Sequence, residues 1–197
     1  DRGPDGGGFV IDGAVGICYR AFHTNRESRL EKQPLASRNG AILALGGRID
    51  NRDELISNLS DELRGERANI TDVEIVLAAF SRWGEDCVSR LIGDFALILW
   101  DPIHQKVLLA RDHIGARTLY YHQSKHRLIC SSELDPLLVL AGASLSVNEE
   151  YIAGFLAYDP EPELTPFNGF HAVKPFHSIS ISRDGKSRER RYWSLAE

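Results

Sequence analysis

A few side chains in this sequence have the types and settings that chemistry needs: three thiols, several guanidinium groups at strand ends and one acid at a helix start. Cys18, Cys87 and Cys130 could each act as a nucleophile. Cys18 and Cys130 fall inside predicted strands and Cys87 inside a short helix, so all three are expected to be small core residues. Arg20 closes an alternating run, where a strand leaves its sheet. Gly46-Gly47-Arg48 follow an apolar run, 41–45, and a glycine pair there lets backbone approach closely. Asp72 lies in Thr71-Asp72-Val73-Glu74, in the first turn of a helix, where the dipole alone favours an acid. Arg111-Asp112 ends an apolar run and suits an ion pair that fixes a bend. The run Gly6-Gly7-Gly8 suits a flexible end or loop better than a phosphate cradle. The seven histidines are dispersed and no CxxC is present, so no metal is expected.

Turn chemistry and periodicity give the elements that must position these groups. Residues 95–100 and 107–110 read as buried strands around the turn Asp101-Pro102, and 118–121 as a third, making an antiparallel meander at the centre of a sheet. Residues 9–11 and 14–20 pair around Asp12-Gly13. Residues 22–37 are polar and irregular, a long loop that could cover a site. Asn51 with Glu54 starts a helix with the stripe Leu55, Ile56, Leu59 and Leu63, ended by Gly65-Glu66-Arg67. Thr71 with Glu74 is a capping box before Val76, Leu77, Phe80 and Trp83. Gly84 breaks that helix, and 87–91 makes a short one. A strand at 128–131, helices at 134–141 and 148–156, a stiff acidic loop at 159–166 and closing strands at 170–173, 178–182 and 191–193 complete the chain. The last of these turn around Asp184-Gly185. The pattern is α+β with a mainly antiparallel sheet system.

Length and composition bound the classes. At 197 residues, residues 1–197 are expected to form a single domain with a real core. Apolar content is 43% and charged content 26%, ordinary for a globular protein. A net charge of −5 without a basic block argues against nucleic acid. No apolar run nears the roughly 20 residues that span a bilayer, and no signal peptide is visible. Three scattered cysteines suit a reducing compartment, so a cytoplasmic location is expected.

The segments GDFALILWD, LLARDHIGARTLYY and Ser131-Ser132-Glu133-Leu134, in this order and spacing, resemble the amino-terminal glutaminase domain of asparagine synthetases. That family shows a Gly-x-Phe-Ala strand and an Arg-Asp-x-x-Gly-x-x-Pro-Leu-Tyr-Tyr bend, whose Pro is Thr118 here. Arg2-Gly3-Pro4-Asp5 resembles its His-Arg-Gly-Pro-Asp motif. The resemblance runs from Arg2 to about Trp193 and implies the Ntn-hydrolase αββα sandwich, two mainly antiparallel sheets between helical layers. In the family the Arg-Gly-Pro-Asp motif follows a first strand and helix, and this sequence has no Met. The resemblance therefore implies that the first strand is missing from these residues and that the catalytic N-terminal Cys precedes Asp1.

What the family does with these positions sets further expectations. Its thiolate attacks the side-chain amide of glutamine, its α-amino group is the base, and ammonia passes to an ATP-using synthetase domain. Arg20 is expected to hold the α-carboxylate of glutamine, as a guanidinium grips a carboxylate with two prongs. Asp72 is expected to hold the ammonium, and Arg20, Gly47 and Asp72 to line one cleft. The family's Asn-Gly-Glu-Ile-Tyr-Asn junction reads Gly46-Gly47-Arg48-Ile49-Asp50-Asn51 here. Gly46 and Gly47 take the place of the oxyanion hole, with only backbone N–H left to donate. Arg48 takes the place of the Glu that helps bind the amino group. Arg2, Asp5, Arg111 and Asp112 are expected to be structural. The implied partners are glutamine and a C-terminal synthetase domain, with a homodimer open, and no membrane or nucleic acid. The domain itself needs no cofactor; ATP and Mg belong to the synthetase domain. Two functions stand: a glutaminase domain, or a degenerate module that braces an amide-forming domain of the peptide-cyclase kind. Gly46 and Arg48 favour the second; Arg20, Gly47 and Asp72 favour the first.

Overall fold

The computed structural model describes residues 3–63, 66, 69–142 and 144–195. Its centre is a six-stranded antiparallel sheet built on two long neighbours, β4 (Ile42–Ile49) and β5 (Gly93–Asp101). The order is β11-β10-β6-β5-β4-β3, with β3 at Leu35–Ala36, β6 at Lys106–Arg111, β10 at His177–Ser182 and β11 at Ser187–Arg191. Strict alternation splits the sheet's two faces. Phe95, Leu97 and Leu99 pack with Leu43 and Leu45 against the helices α1 (Arg52–Asn58) and α2 (Asp72–Trp83). Ala96 and Ile98 face the other way, with Leu109, Ile179 and Ile181.

That second face is covered by two smaller sheets. β1 (Gly7–Asp12) and β2 (Val15–Arg20) form a hairpin whose Val10, Val15 and Ile17 pack on Ile42 and Ala44. β7 (Tyr120–Gln123), β8 (Leu128–Ser131) and β9 (Phe170–Ala172) form a three-stranded sheet in the order β8-β7-β9. The helix α3 (Leu134–Ala141) closes the outside of this sheet through Leu137, against Ile129 and Phe170. The helix α4 (Glu149–Leu156) follows, capped by Asn148, whose Oδ1 accepts the Tyr151 N–H. The layers are therefore helix, sheet, sheet, helix, as the resemblance implies.

Several expectations change. The strand after β6 is not its neighbour: β10 takes that edge, and β7 belongs to the other layer. The cause is the bend at residues 112–117. Asp112, fully buried, accepts the N–H groups of Ile114, Ala116 and Arg117 and swings the chain out of the large sheet. Arg111 and Asp112 do not pair with each other. Arg111 donates to the carbonyls of Arg117, Val173 and Gly115, so each residue fixes backbone on its own. The closing strand is β11, and Tyr192 beyond it is buried, its hydroxyl donating to the Arg111 carbonyl. Asn51 does not cap α1 with its side chain. Its Nδ2 donates to Arg90 O and its Oδ1 accepts the Ile92 N–H, tying the start of α1 to the entry of β5. The end of the α1 stripe at Gly65 and Arg67 lies outside the described residues.

Candidate functional site

The end of β4 and the start of α2 meet in one buried polar cluster. Local sequence builds α2's start: Thr71 accepts the Glu74 N–H while Glu74 accepts the Thr71 N–H, both arms of the capping box. This fixes Asp72 in the first turn, 2% exposed. One carboxylate oxygen accepts the Ile49 N–H at 2.9 Å, which locks β4 to α2. The other pairs with Nη1 of Arg52, the first residue of α1, and among the described residues these two atoms have only each other. Nη2 of Arg52 donates to the Ile70 carbonyl.

A loop acid completes the cluster. Glu31 accepts from Gln33 Nε2 at 2.8 Å and lies near the Val73 N–H, at the α2 N-terminus. Burial pushes its carboxyl above the usual range, against those hydrogen bonds and the nearby charge of Arg52. Gln33 itself is buried and grips Leu45 with both ends of its amide, Oε1 accepting the N–H at 2.7 Å and Nε2 donating to the carbonyl at 2.9 Å. The amide serves as an extra rung on the edge of β4 just before Gly46. Burial raises the Tyr19 hydroxyl, and the nearby Glu31 charge adds to that while Arg117 opposes it. Outside this cluster opens a groove of about 580 Å³ lined by Glu27, Asp50, Asn51, Arg52, Asp53 and Ile56 among others.

The glycine junction is tight. Gly47 has φ +130°, and a Cβ there would lie 2.0 Å from the Asp94 carbonyl oxygen. Gly46 faces the second sheet layer, on the side where Ala44 meets Ile17, and brings no side chain. Arg48 is exposed and held by two acids, Asp50 at 2.9 Å and Asp94 at 2.6 Å.

Arg20 ends β2 on its exposed side, with Cys18, while Ile17 and Tyr19 face inward. Its side chain lies across Gly7. Asp5 accepts the His23 N–H and anchors the exit of β2, a structural role; Arg2 lies outside the described residues. Cys18 is exposed and not a core residue, because it sits on the outer face of the hairpin. Cys87 and Cys130 are pushed up to about 12 by burial and stay protonated. Sequence reading missed Glu31, Gln33 and Arg52. Arg52 carried one signal, a cation at the first position of a predicted helix, where the dipole disfavours it unless an acid is near.

The architecture and the motifs have counterparts. Residues 1–193 match the glutamine amidotransferase domain family. Asparagine synthetase 2 of Bacillus subtilis is 27% identical over 208 residues, taking in 100% of this chain and 27% of that protein. A putative asparagine synthetase of Mycobacterium bovis is 31% identical over 178 residues, 82% of this chain and 27% of that one. The amidase chry2 of Gibberella zeae is 27% identical, over 98% of this chain and 29% of its own length. The chain thus spans less than a third of these relatives. In structure, the glutamine phosphoribosylpyrophosphate amidotransferase of Bacillus subtilis superposes with a TM-score of 0.63 at 18% identity, over 91% of this chain and 35% of that one, which shows the shared fold. The chain belongs to the glutamine amidotransferase domain family and is homologous to the amino-terminal domains of asparagine synthetases.

Proposed function

We propose that this domain is the glutamine-directed half of an asparagine-synthetase-like protein, releasing ammonia from glutamine for an ATP- and Mg-dependent amide-forming domain. The observation that carries the reading is Asp72: a carboxylate 2% exposed, bound to the Ile49 N–H just after Gly47, at the position the family resemblance gives to the ammonium of glutamine. In this reading Asp72 marks the ammonium end of the glutamine site, where Arg52 stands as its resident cation. The amide oxygen is met by backbone N–H at Gly46 and Gly47, without a side-chain donor. Loss of one such donor typically costs ~100–1000-fold in rate, so a slow glutaminase is expected. The thiols of Cys87 and Cys130 are held protonated and Cys18 stands on the outer face of the hairpin, so this reading gives none of the three the role of nucleophile.

A second reading has its own support. Arg48, tied to Asp50 and Asp94, puts a cation where the family resemblance expects an acid, and Gly46 removes the Asn donor. A domain kept to brace the amide-forming partner, using another amine, fits those two residues. Glutamate release by the full-length protein separates the two. Release from glutamine supports the glutaminase. No release, with amide formation intact from added ammonia or amine, supports the brace.

A further inference from the structure

Arg52 stands on the carboxylate that the proposed function assigns to the substrate. Asp72 has two oxygens, one taken by the Ile49 N–H and the other by Arg52 Nη1. The guanidinium is itself held from three sides. Asp72 pairs with one nitrogen, the Ile70 carbonyl takes another, and Glu31 adds its charge. Arg52 begins α1, so its backbone is fixed, and its side chain is 21% exposed toward the groove. A ligand entering from that groove therefore meets Asp72 already neutralised.

We infer that Arg52 is a specificity-determining residue: an internal cation that replaces the substrate's α-ammonium on Asp72. The inference rests on the glutamine reading of the site. Its consequence concerns substrate class. A site whose ammonium position is filled from within reads the ω-amide and the carbon chain, not the α-amino group. It accepts ω-amide carboxylic acids whether or not they carry an α-amine. Displacing Arg52 would leave its charge without Asp72 and would need glutamine's ammonium to match a pair already formed.

The test uses the full-length protein and two ligands, L-glutamine and glutaramate, which is glutamine without its α-amino group. The wild type is expected to bind them within about threefold of each other, well under the tenfold that 1.4 kcal/mol represents. In Arg52→Met, Asp72 is freed, and glutamine is expected to gain at least about tenfold over glutaramate. A wild type that prefers glutamine tenfold or more overturns the inference, and this comparison stands even where Arg52→Met does not fold. Equal preference in wild type and folded Arg52→Met also overturns it. Where neither ligand binds either protein, the glutamine reading fails and methylammonium decides the inference alone. Thermal stabilisation of Arg52→Met but not of wild type by millimolar methylammonium supports the plug, and no difference between them overturns it.

Discussion

Breaking the Asp72–Arg52 pair from either side should destabilise the protein strongly, and breaking both sides should cost less than the sum. Asp72 is 2% exposed and the Arg52 side chain 21%, so each partner strands the other in a largely dry site. Removing one member of a buried pair typically costs ~3–5 kcal/mol. Arg52's partial exposure puts both single changes near the lower end, about 3 kcal/mol. Asp72→Asn keeps an oxygen for the Ile49 N–H and removes only the charge. Arg52→Met keeps the stem and leaves Asp72 with that one N–H. For a chain of 197 residues, each kcal/mol shifts Tm by about 2–4 °C, so each single variant should melt ~6–12 °C lower. In the double variant no charge is left stranded, so a coupling of about 2 kcal/mol or more is expected. The assay is a double-mutant cycle by thermal and urea unfolding, repeated at high salt, which screens a buried pair little. Additivity within about 0.5 kcal/mol would refute the buried-pair reasoning.

Three further outcomes follow from single contacts. Gly47→Ala forces a φ of +130° on a residue with a Cβ and drives that Cβ into the Asp94 carbonyl; strain and overpacking together should lower stability by ~2–6 kcal/mol, and an unchanged urea midpoint would count against the close approach of β4 and β5. Asp112→Ala removes the acceptor for three N–H groups, so amide exchange at Ile114, Ala116 and Arg117 should quicken at a cost of about 3 kcal/mol; wild-type protection would refute the bend's origin. The Glu31 carboxyl is raised in the folded protein by burial, so the folded state holds that proton more tightly than the unfolded chain does. Its contribution to stability is present at low pH and declines as pH rises from the ordinary Glu range through the raised value. Glu31→Gln should flatten stability against pH across that window, and an unchanged slope would sink this assignment.

What the sequence made legible was local. The Thr71–Glu74 capping box, the Asn148 cap and the alternation of Phe95 with Ala96 are written in neighbouring residues, and the structure carries each one. Sheet membership was not local. Residues 118–121 look like the next strand of a meander, yet the buried Asp112 turns the chain into the other layer before they form. Cys18 has the pattern of a core strand, but a hairpin laid over a sheet leaves one of its faces outside. The Glu31–Arg52–Asp72 cluster joins a loop and two helix starts across 41 residues of sequence, and no periodicity marks such a meeting. Asp72 could be named as an acid at a helix start. Its occupant could not, because Arg52 differs from any surface cation only by where α1 is pinned.

The most direct test is the structure of the Arg52→Met protein at saturating L-glutamine. The account predicts glutamine in the groove beside Asp50 and Asn51, with its α-ammonium within hydrogen-bond distance of the Asp72 carboxylate and its amide oxygen toward the Gly46–Gly47 backbone. Glutamine bound away from Asp72, or a groove left empty at saturation, would contradict it.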